Sequence, residues 1–406
     1  MPKVLRIINR FNIGGPTYNA AYLSRHLAPD YKTLLVGGMK DETEDSSEYI
    51  LDQVGVRPII IPEMRRSIRY NDDLVAYYKI KEVIRRFRPD IVHTHASKAG
   101  SLGRWAAYHS NVPVIIHTFH GHVFHSYFNK TKTALYKQIE RKLARHSTRI
   151  IALSDIQKHE LSSVHHICEP EKIEVIPLGF DLSRFREDME LKRASFRAHY
   201  KLDEDEVAIG IIGRLVPIKN HKLFLDALAR VLQQTTRKVR AFIIGDGELM
   251  QELQQYAAHL NIPFAIGENS GQGAPLTFTS WIKEVDYANA GLDIVALTSL
   301  NEGTPVSLIE AQAANKPIVT TGAGGIENVV IAGKTALLAR NGDAEDFAAR
   351  LLSLVENDML RTSMSQYGWD HVKRTYHYTR LVDDMKNLYD RLLDVRRVPA
   401  GVTLNP

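Results

Sequence analysis

The stretch Asn301-Glu302-Gly303-Thr304-Pro305-Val306-Ser307-Leu308-Ile309-Glu310 decides how the chain is read. An apolar run at 293–297 precedes it and a second at 317–320 follows, so the order is strand, loop, helix, strand. Pro305 suits the first helical position, with Thr304 as its cap. The N–H groups of Thr304, Val306 and Ser307 then stand unpaired at a helix start carrying roughly half a positive charge. An anion such as a diphosphate belongs there.

Glu302 falls in the loop before that helix, and Glu310 lies about 80° around it and roughly 12 Å further along. Carboxylates so placed hold opposite ends of one extended ligand. They cannot share a proton, which argues against the paired acid and base of a glycosidase. Two glutamates at this separation also occur on ordinary solvated helices, so the surroundings decide between the readings.

Those surroundings resemble one family. Glu302 to Glu310 is similar to the E-x7-E signature of retaining GT-B glycosyltransferases, specifically the large family 4 group. The likeness continues through Ala311-Gln-Ala-Ala-Asn-Lys-Pro-Ile-Val-Thr320 and Gly324-Gly325-Ile326, and backwards through Tyr287-Ala-Asn-Ala-Gly-Leu-Asp293. It implies an α/β GT-B fold, with two Rossmann-like domains facing across a deep interdomain cleft. It also implies that Glu302 and Gly303 meet the donor sugar, that Glu310 meets the nucleotide ribose, and that Thr304, Pro305 and Val306 line the donor.

The rest of the chain fits two such domains. At 406 residues it is long for one domain and sufficient for two. Residues 4–8 read as a first strand, and Asn12-Ile13-Gly14-Gly15-Pro16 as a glycine turn opening a helix. Taken alone that is a strand-to-helix turn; the resemblance places Gly14 and Gly15 over the donor phosphates. Short strands at 32–36 and 58–61 flank an acidic stretch, 40–52, read as a surface loop. A helix at 72–87 stops at Pro89, and strands and helices alternate onward to residue 177, as in a parallel doubly wound sheet. Ligands of such sheets gather at the carboxyl ends of the strands.

Six histidines fall at or beyond those ends: His93, His95, His117, His120, His122 and His125. His-x-His spacing suits a metal site, but residues 117–125 contain no Asp, Glu or Cys, and structural histidines are a second reading. Thr118-Phe119-His120-Gly121 resembles the loop in which family 4 enzymes present a histidine to the donor sugar, which makes His120 the candidate.

Leu178-Gly-Phe-Asp-Leu-Ser-Arg-Phe185 resembles the family linker, so the expected acceptor domain is 1–180 and the donor domain 181–375. A helix at 376–395 would cross back to the first domain, with 396–406 a loose tail. In the donor domain a strand at 207–212 runs into Gly213-Arg214-Leu-Val-Pro-Ile-Lys219-Asn220, similar to the family's G-R-L-x-x-x-K-N segment. Arg214 and Lys219 are thereby expected on the leaving diphosphate, Arg as a fork and Lys as a point charge. Residues 266–273 are unusually rich in glycine, and Trp281 is carried over only as a neighbour of the base, since a packed core Trp fits that stretch equally well.

Composition bounds the partners. Residues 1–180 hold 26 Lys and Arg against 18 Asp and Glu, while the whole chain nets +5. A basic first half suits an anionic membrane surface or plain solvation; nucleic acid ranks low because no binding module is visible. One cysteine, Cys168, fits a reducing compartment, and no apolar run reaches the roughly 18 residues of a membrane span. The expected protein is cytoplasmic, if membrane-bound then peripheral on the inner face of the plasma membrane.

These readings combine into a retaining, metal-independent hexosyltransferase. It would move a sugar from a nucleotide diphosphate donor, UDP-linked by family frequency, to a glycan or lipid-linked acceptor in bacterial surface polysaccharide synthesis. No metal and no cofactor are expected. A nucleotide-sugar 2-epimerase of the same fold, or a noncatalytic nucleotide-sugar-binding protein, remains open from sequence.

Overall fold

Alternation along the first strand sets the layers of the first unit. In the computed structural model, which describes residues 1–11, 15–39, 48–65, 67, 69–120, 130–267 and 273–397, β1 (Lys3–Arg10) is almost wholly buried. Successive side chains of a strand point to opposite faces. Val4 therefore packs with Leu23 and with Leu381, Met385 and Leu388 of the C-terminal helix Tyr378–Arg397. Leu5 and Ile7 pack instead with Ile80, Ile84, Ala99 and Ala106. Both faces are covered by helices, which is why the strands read as near-continuous apolar runs.

Seven strands form this sheet: β1, β2 (Lys32–Gly38), β3 (Ile59–Ile60), β4 (Ile91–His95), β5 (Val114–Thr118), β6 (Arg149–Ala152) and β7 (Ile173–Val175). They are ordered β3-β2-β1-β4-β5-β6-β7 and pair in parallel throughout. The order turns back at β1 and β4, so their carboxyl ends open on the crevice where ligands of doubly wound sheets bind.

A second seven-stranded parallel sheet comprises β8 (Val207–Ile212), β9 (Val239–Ile244), β10 (Phe264–Ile266), β11 (Leu276–Ser280), β12 (Ile294–Leu297), β13 (Ile318–Thr321) and β14 (Ala336–Ala339). Its order, β10-β11-β9-β8-β12-β13-β14, turns back at β8 and β12. Its core joins Ile209, Ile211 and Ile243 to Phe224, Leu228, Phe347 and Leu351 of the covering helices. Packing divides the chain into Met1–Phe180 with the segment from Tyr376 onward, and Asp181–Thr375. The α/β class with two Rossmann-like units is the class expected from sequence.

Three local expectations are corrected. The acidic stretch at 40–52 is not all loop: Glu48–Gln53 is a helix, because Ile50 and Leu51 are buried beside Ile8, Phe11 and Leu35. The helix expected at 305 begins at Val306, with Pro305 as its extended N-cap and no side-chain cap from Thr304. Proline fits either place, since neither needs its N–H, and the Pro305 carbonyl accepts from Leu308 and Ile309. The helix expected after Gly325 is a 3-10 turn, Gly324–Asn328. Residues 12–14, 40–47, 66, 68, 121–129, 268–272 and 398–406 lie outside the described residues, and with them the expectations for Gly14, His122, His125, most of the glycine-rich segment and the tail.

Candidate active site

In the second unit the expected donor residues follow the carboxyl ends of parallel strands. Gly213 to Lys219 follow β8, Trp281 follows β11, Glu302 to Glu310 follow β12, and Gly324 and Gly325 follow β13. One rim of one sheet thus carries them all.

Lys219 closes a short 3-10 turn, Pro217–Lys219, whose end is fixed by Asn220 in the left-handed region at φ 50°. The turn is tied to the loop that carries Glu302. Thr298 donates its hydroxyl to the Lys219 carbonyl at 3.0 Å, and the Leu300 N–H donates to the Ile218 carbonyl at 2.9 Å. The Lys219 ammonium donates to Glu302 Oε1 in a close ion pair. Ser299 Oγ donates to the same oxygen at 2.6 Å. Lys219 is 19% exposed and Glu302 11%, so the pair is held in a partly dry place where charge interactions are stronger than in water. The cation and the carboxylate that sequence assigned to phosphate and sugar are therefore brought together.

The Glu302 loop is seated by two glycines. The Gly325 N–H donates to the Glu302 carbonyl at 2.7 Å, and a Cβ at Gly325 would lie 1.9 Å from the Gly303 carbonyl oxygen. Only a residue without a side chain allows that approach. Across the rim, a Cβ at Gly245 would lie 2.0 Å from the Gly213 carbonyl oxygen, so the loop carrying Arg214 is packed in the same way. Arg214 itself is exposed, with no ion-pair partner among the described residues. Thr304 and Val306 are half-buried, Pro305 is buried and Gly303 is exposed.

Glu310 lies one turn into the helix Val306–Ala313. Its side chain is 15% exposed, with the Arg184 guanidinium 3.9 Å away. Burial pushes its carboxyl up to about 7, and Arg184 offsets only part of that. Trp281 is 37% exposed, which answers the open question about it: it is not a packed core residue.

In the first unit Gly15 opens the helix Gly15–His26. His93, His95 and His117 are buried and His120 is half-buried. Each ring is engaged with a protein group through at least one nitrogen: His93 with Thr118 and Tyr389, His117 with Thr94, and His95 with His120 at 2.9 Å. Among the described residues no group of three His, Cys, Asp or Glu is arranged to hold a metal. No described helix is long and apolar enough to cross a membrane.

Sequence reasoning missed Ser299 and the pairing of Arg184 with Glu310. Arg184 stood in the linker motif, so a signal was present without a role; Ser299 carried none.

Two family models match the chain: "Glycosyltransferase Family 4" over residues 13–184 and "Glycosyl transferases group 1" over residues 192–371. The chain is 29% identical over 360 residues to UDP-Gal:alpha-D-GlcNAc-diphosphoundecaprenol alpha-1,3-galactosyltransferase of Escherichia coli, covering 86% of this chain and 87% of that protein. It is 23% identical over 336 residues to the capsular polysaccharide biosynthesis glycosyltransferase CapM of Staphylococcus aureus, covering 82% and 85%. Among solved structures, Anabaena Alr3699/HepE in complex with UDP superposes with a TM-score of 0.79 at 18% identity, over 96% of this chain and 100% of that one. That last likeness concerns the fold.

Proposed function

The chain belongs to the group 1, family 4 glycosyltransferases, and on that premise we propose that it transfers a hexose from UDP to a hydroxyl of a lipid-linked glycan, with retention of anomeric configuration and without a metal. The observation that carries the proposal is the pairing of Lys219 with Glu302 beside the start of the helix Val306–Ala313. The difficult step is departure of a diphosphate while positive charge grows on the anomeric carbon. Arg214, Lys219 and the amides at the helix start supply fixed positive charge to the departing oxygens, which is the work a divalent ion would otherwise do. Glu302 and Gly303 hold the sugar and Glu310 the ribose, while Gly14 and Gly15 keep the phosphate role that the family resemblance gives them. His120 donates to the sugar. Front-side attack has the acceptor hydroxyl enter on the face the phosphate leaves, so that the phosphate takes its proton.

The test is turnover of UDP-hexoses with a diphospholipid-linked sugar acceptor, followed by NMR of the product in EDTA. An α-linked product at an undiminished rate is expected. A β-linked product, or activity lost in EDTA and restored only by a divalent cation, would overturn retention or metal independence respectively.

The Glu310 carboxyl makes binding sensitive to pH. Ribose hydroxyls donate best to an ionised carboxylate, and this one protonates near 7. The dissociation constant for UDP should rise as pH falls below 7, approaching about tenfold per unit. Calorimetry at pH 6, 7 and 8 checks this, and Glu310→Gln should flatten the profile. The same shift opposes folding when no ligand is bound. A carboxyl raised in the folded state gives stability that is full below its unfolded value and is lost as pH rises through 7.

We further propose that the first unit rests on an anionic membrane. Tyr70, Leu74 and Tyr78 are 88%, 57% and 61% exposed along one stripe of the helix Tyr70–Phe87, which continues into Lys81 and Arg85. Apolar groups that enter the interface beside cations are a membrane-surface pattern. Replacing Tyr70, Leu74 and Tyr78 with Ser should weaken sedimentation with phosphatidylglycerol vesicles at least about tenfold. Equal binding to neutral vesicles would contradict the reading.

A further inference from the structure

Beneath His120, in the first unit, lies a fully buried arginine with no acid beside it. Arg6 sits mid-strand in β1 at 0% exposure, and no carboxylate among the described residues pairs with it. Its Nη1 faces Nδ1 of His93 at 3.0 Å, the Tyr389 hydroxyl at 3.3 Å and Nε2 of His95 at 3.4 Å. Its Nε and Nη2 have no partner among the described residues. A buried, partly unsatisfied cation costs stability, and an apolar side chain would serve the core better. The arrangement calls for another purpose.

The donors and acceptors follow from the one group whose role is fixed, the arginine. Arginine only donates, and its Nη1 has two hydrogens for three neighbours. Tyr389 lies 2.6 Å from Nδ1 of His93, so its hydroxyl donates there and accepts from Arg6, while the ring's Nε2–H donates to Thr118 at 2.7 Å. The other Nη1 hydrogen lies between Nδ1 of His93 at 3.0 Å and Nε2 of His95 at 3.4 Å. The His95 nitrogen must then be bare, since an N–H there would face another donor. A neutral His95 with bare Nε2 carries its proton on Nδ1, which lies 2.9 Å from Nε2 of His120. The Nε2 of His120 is therefore an acceptor and its Nδ1 holds the hydrogen. That Nδ1 has no partner among the described residues. Burial together with the Arg6 charge holds His93 and His95 well below the usual imidazole range, and burial takes His120 to about 3.

We propose that Arg6, acting through His95, is a positioning residue that fixes His120 in the Nδ1–H tautomer, so that His120 presents one hydrogen-bond donor to the transferring sugar. The sugar contact rests on the proposed function above; the tautomer does not. A histidine free to exchange tautomers would present a bare nitrogen for part of the time and would accept from a sugar hydroxyl instead of donating to its oxygen. The permanent charge of arginine prevents this at any working pH.

Histidine-selective 15N labelling with long-range 1H–15N correlation reads the tautomers directly, and the His120 signals are assigned by their loss in His120→Gln. Nδ1–H on His120 in the unmodified protein is expected, and Nε2–H would overturn the inference without any variant being needed. Arg6→Met should mix the tautomers of His95 and His120 and lower kcat about tenfold, the worth of one hydrogen bond, with little change in donor KM. Arg6→Lys retains a charged donor and should restore both readings, whereas a merely structural role would leave Lys as impaired as Met. If Arg6→Met mixes the tautomers but kcat is unchanged, the relay stands and the role of His120 at the sugar falls.

Discussion

Lys219→Ala is expected to lower kcat by a factor on the order of 10²–10³, the cost of removing one preorganised charge from a developing anion. The ammonium is not a loose surface group. Its turn is bonded through Thr298 and Leu300 to the Glu302 loop, so position is fixed before substrate arrives. Its charge is paired with Glu302, which keeps Ser299 as its one remaining side-chain partner among the described residues once the lysine is gone. The two changes should therefore be far from additive: Glu302→Gln made in the Lys219→Ala background should cost much less than Glu302→Gln alone. Steady-state kinetics on the two single variants and the double variant measures this, with melting temperatures to show that each is folded. A Lys219→Ala enzyme within a few fold of normal would remove this residue from the diphosphate.

Gly325→Ala is expected to be nearly as damaging, although its effect would act through the Glu302 loop and not through a contact of its own. One added carbon would sit 1.9 Å from the Gly303 carbonyl oxygen, far inside contact distance, and that oxygen belongs to backbone that cannot swing aside as a side chain would. The 302–303 segment must move, and with it the Glu302 carbonyl now bonded to the Gly325 N–H. Displacing a binding group by about 1 Å costs about 10²-fold in turnover. The sheet below is untouched, so the circular dichroism spectrum should be unchanged while kcat/KM for the donor falls about a hundredfold. Normal kinetics would mean that the seating of this loop does not govern catalysis.

Much of this geometry was legible because it is local. The apolar runs at 293–297 and 317–320 became β12 and β13, and the loop between them carries its carboxylates on one sheet rim. Strand and helix alternation gave the doubly wound class. Edge elements were harder to read: β10 is three residues long and lies before a glycine-rich segment, and the helix Glu48–Gln53 is hidden by the acidic residues around Ile50 and Leu51. The Arg6 network was not legible at all. Arg6 meets His93 across 87 positions and Tyr389 across 383, and neither periodicity nor spacing encodes such neighbours. An arginine in an otherwise apolar strand was the one available hint, and it reads equally well as an edge position. The corrected cap follows the same logic, since proline satisfies both the N-cap and the first helical position and sequence cannot choose between them.

The proposed function stands or falls on whether fixed cations and helix-start amides in the second unit hold the departing diphosphate. A crystal structure of the protein with UDP bound tests it most directly. The claim predicts the β-phosphate in contact with Arg214, Lys219 and the N–H groups of Thr304, Val306 and Ser307, with the ribose on Glu310. A diphosphate found elsewhere, with Lys219 still locked to Glu302 and Arg214 in solvent, would contradict it.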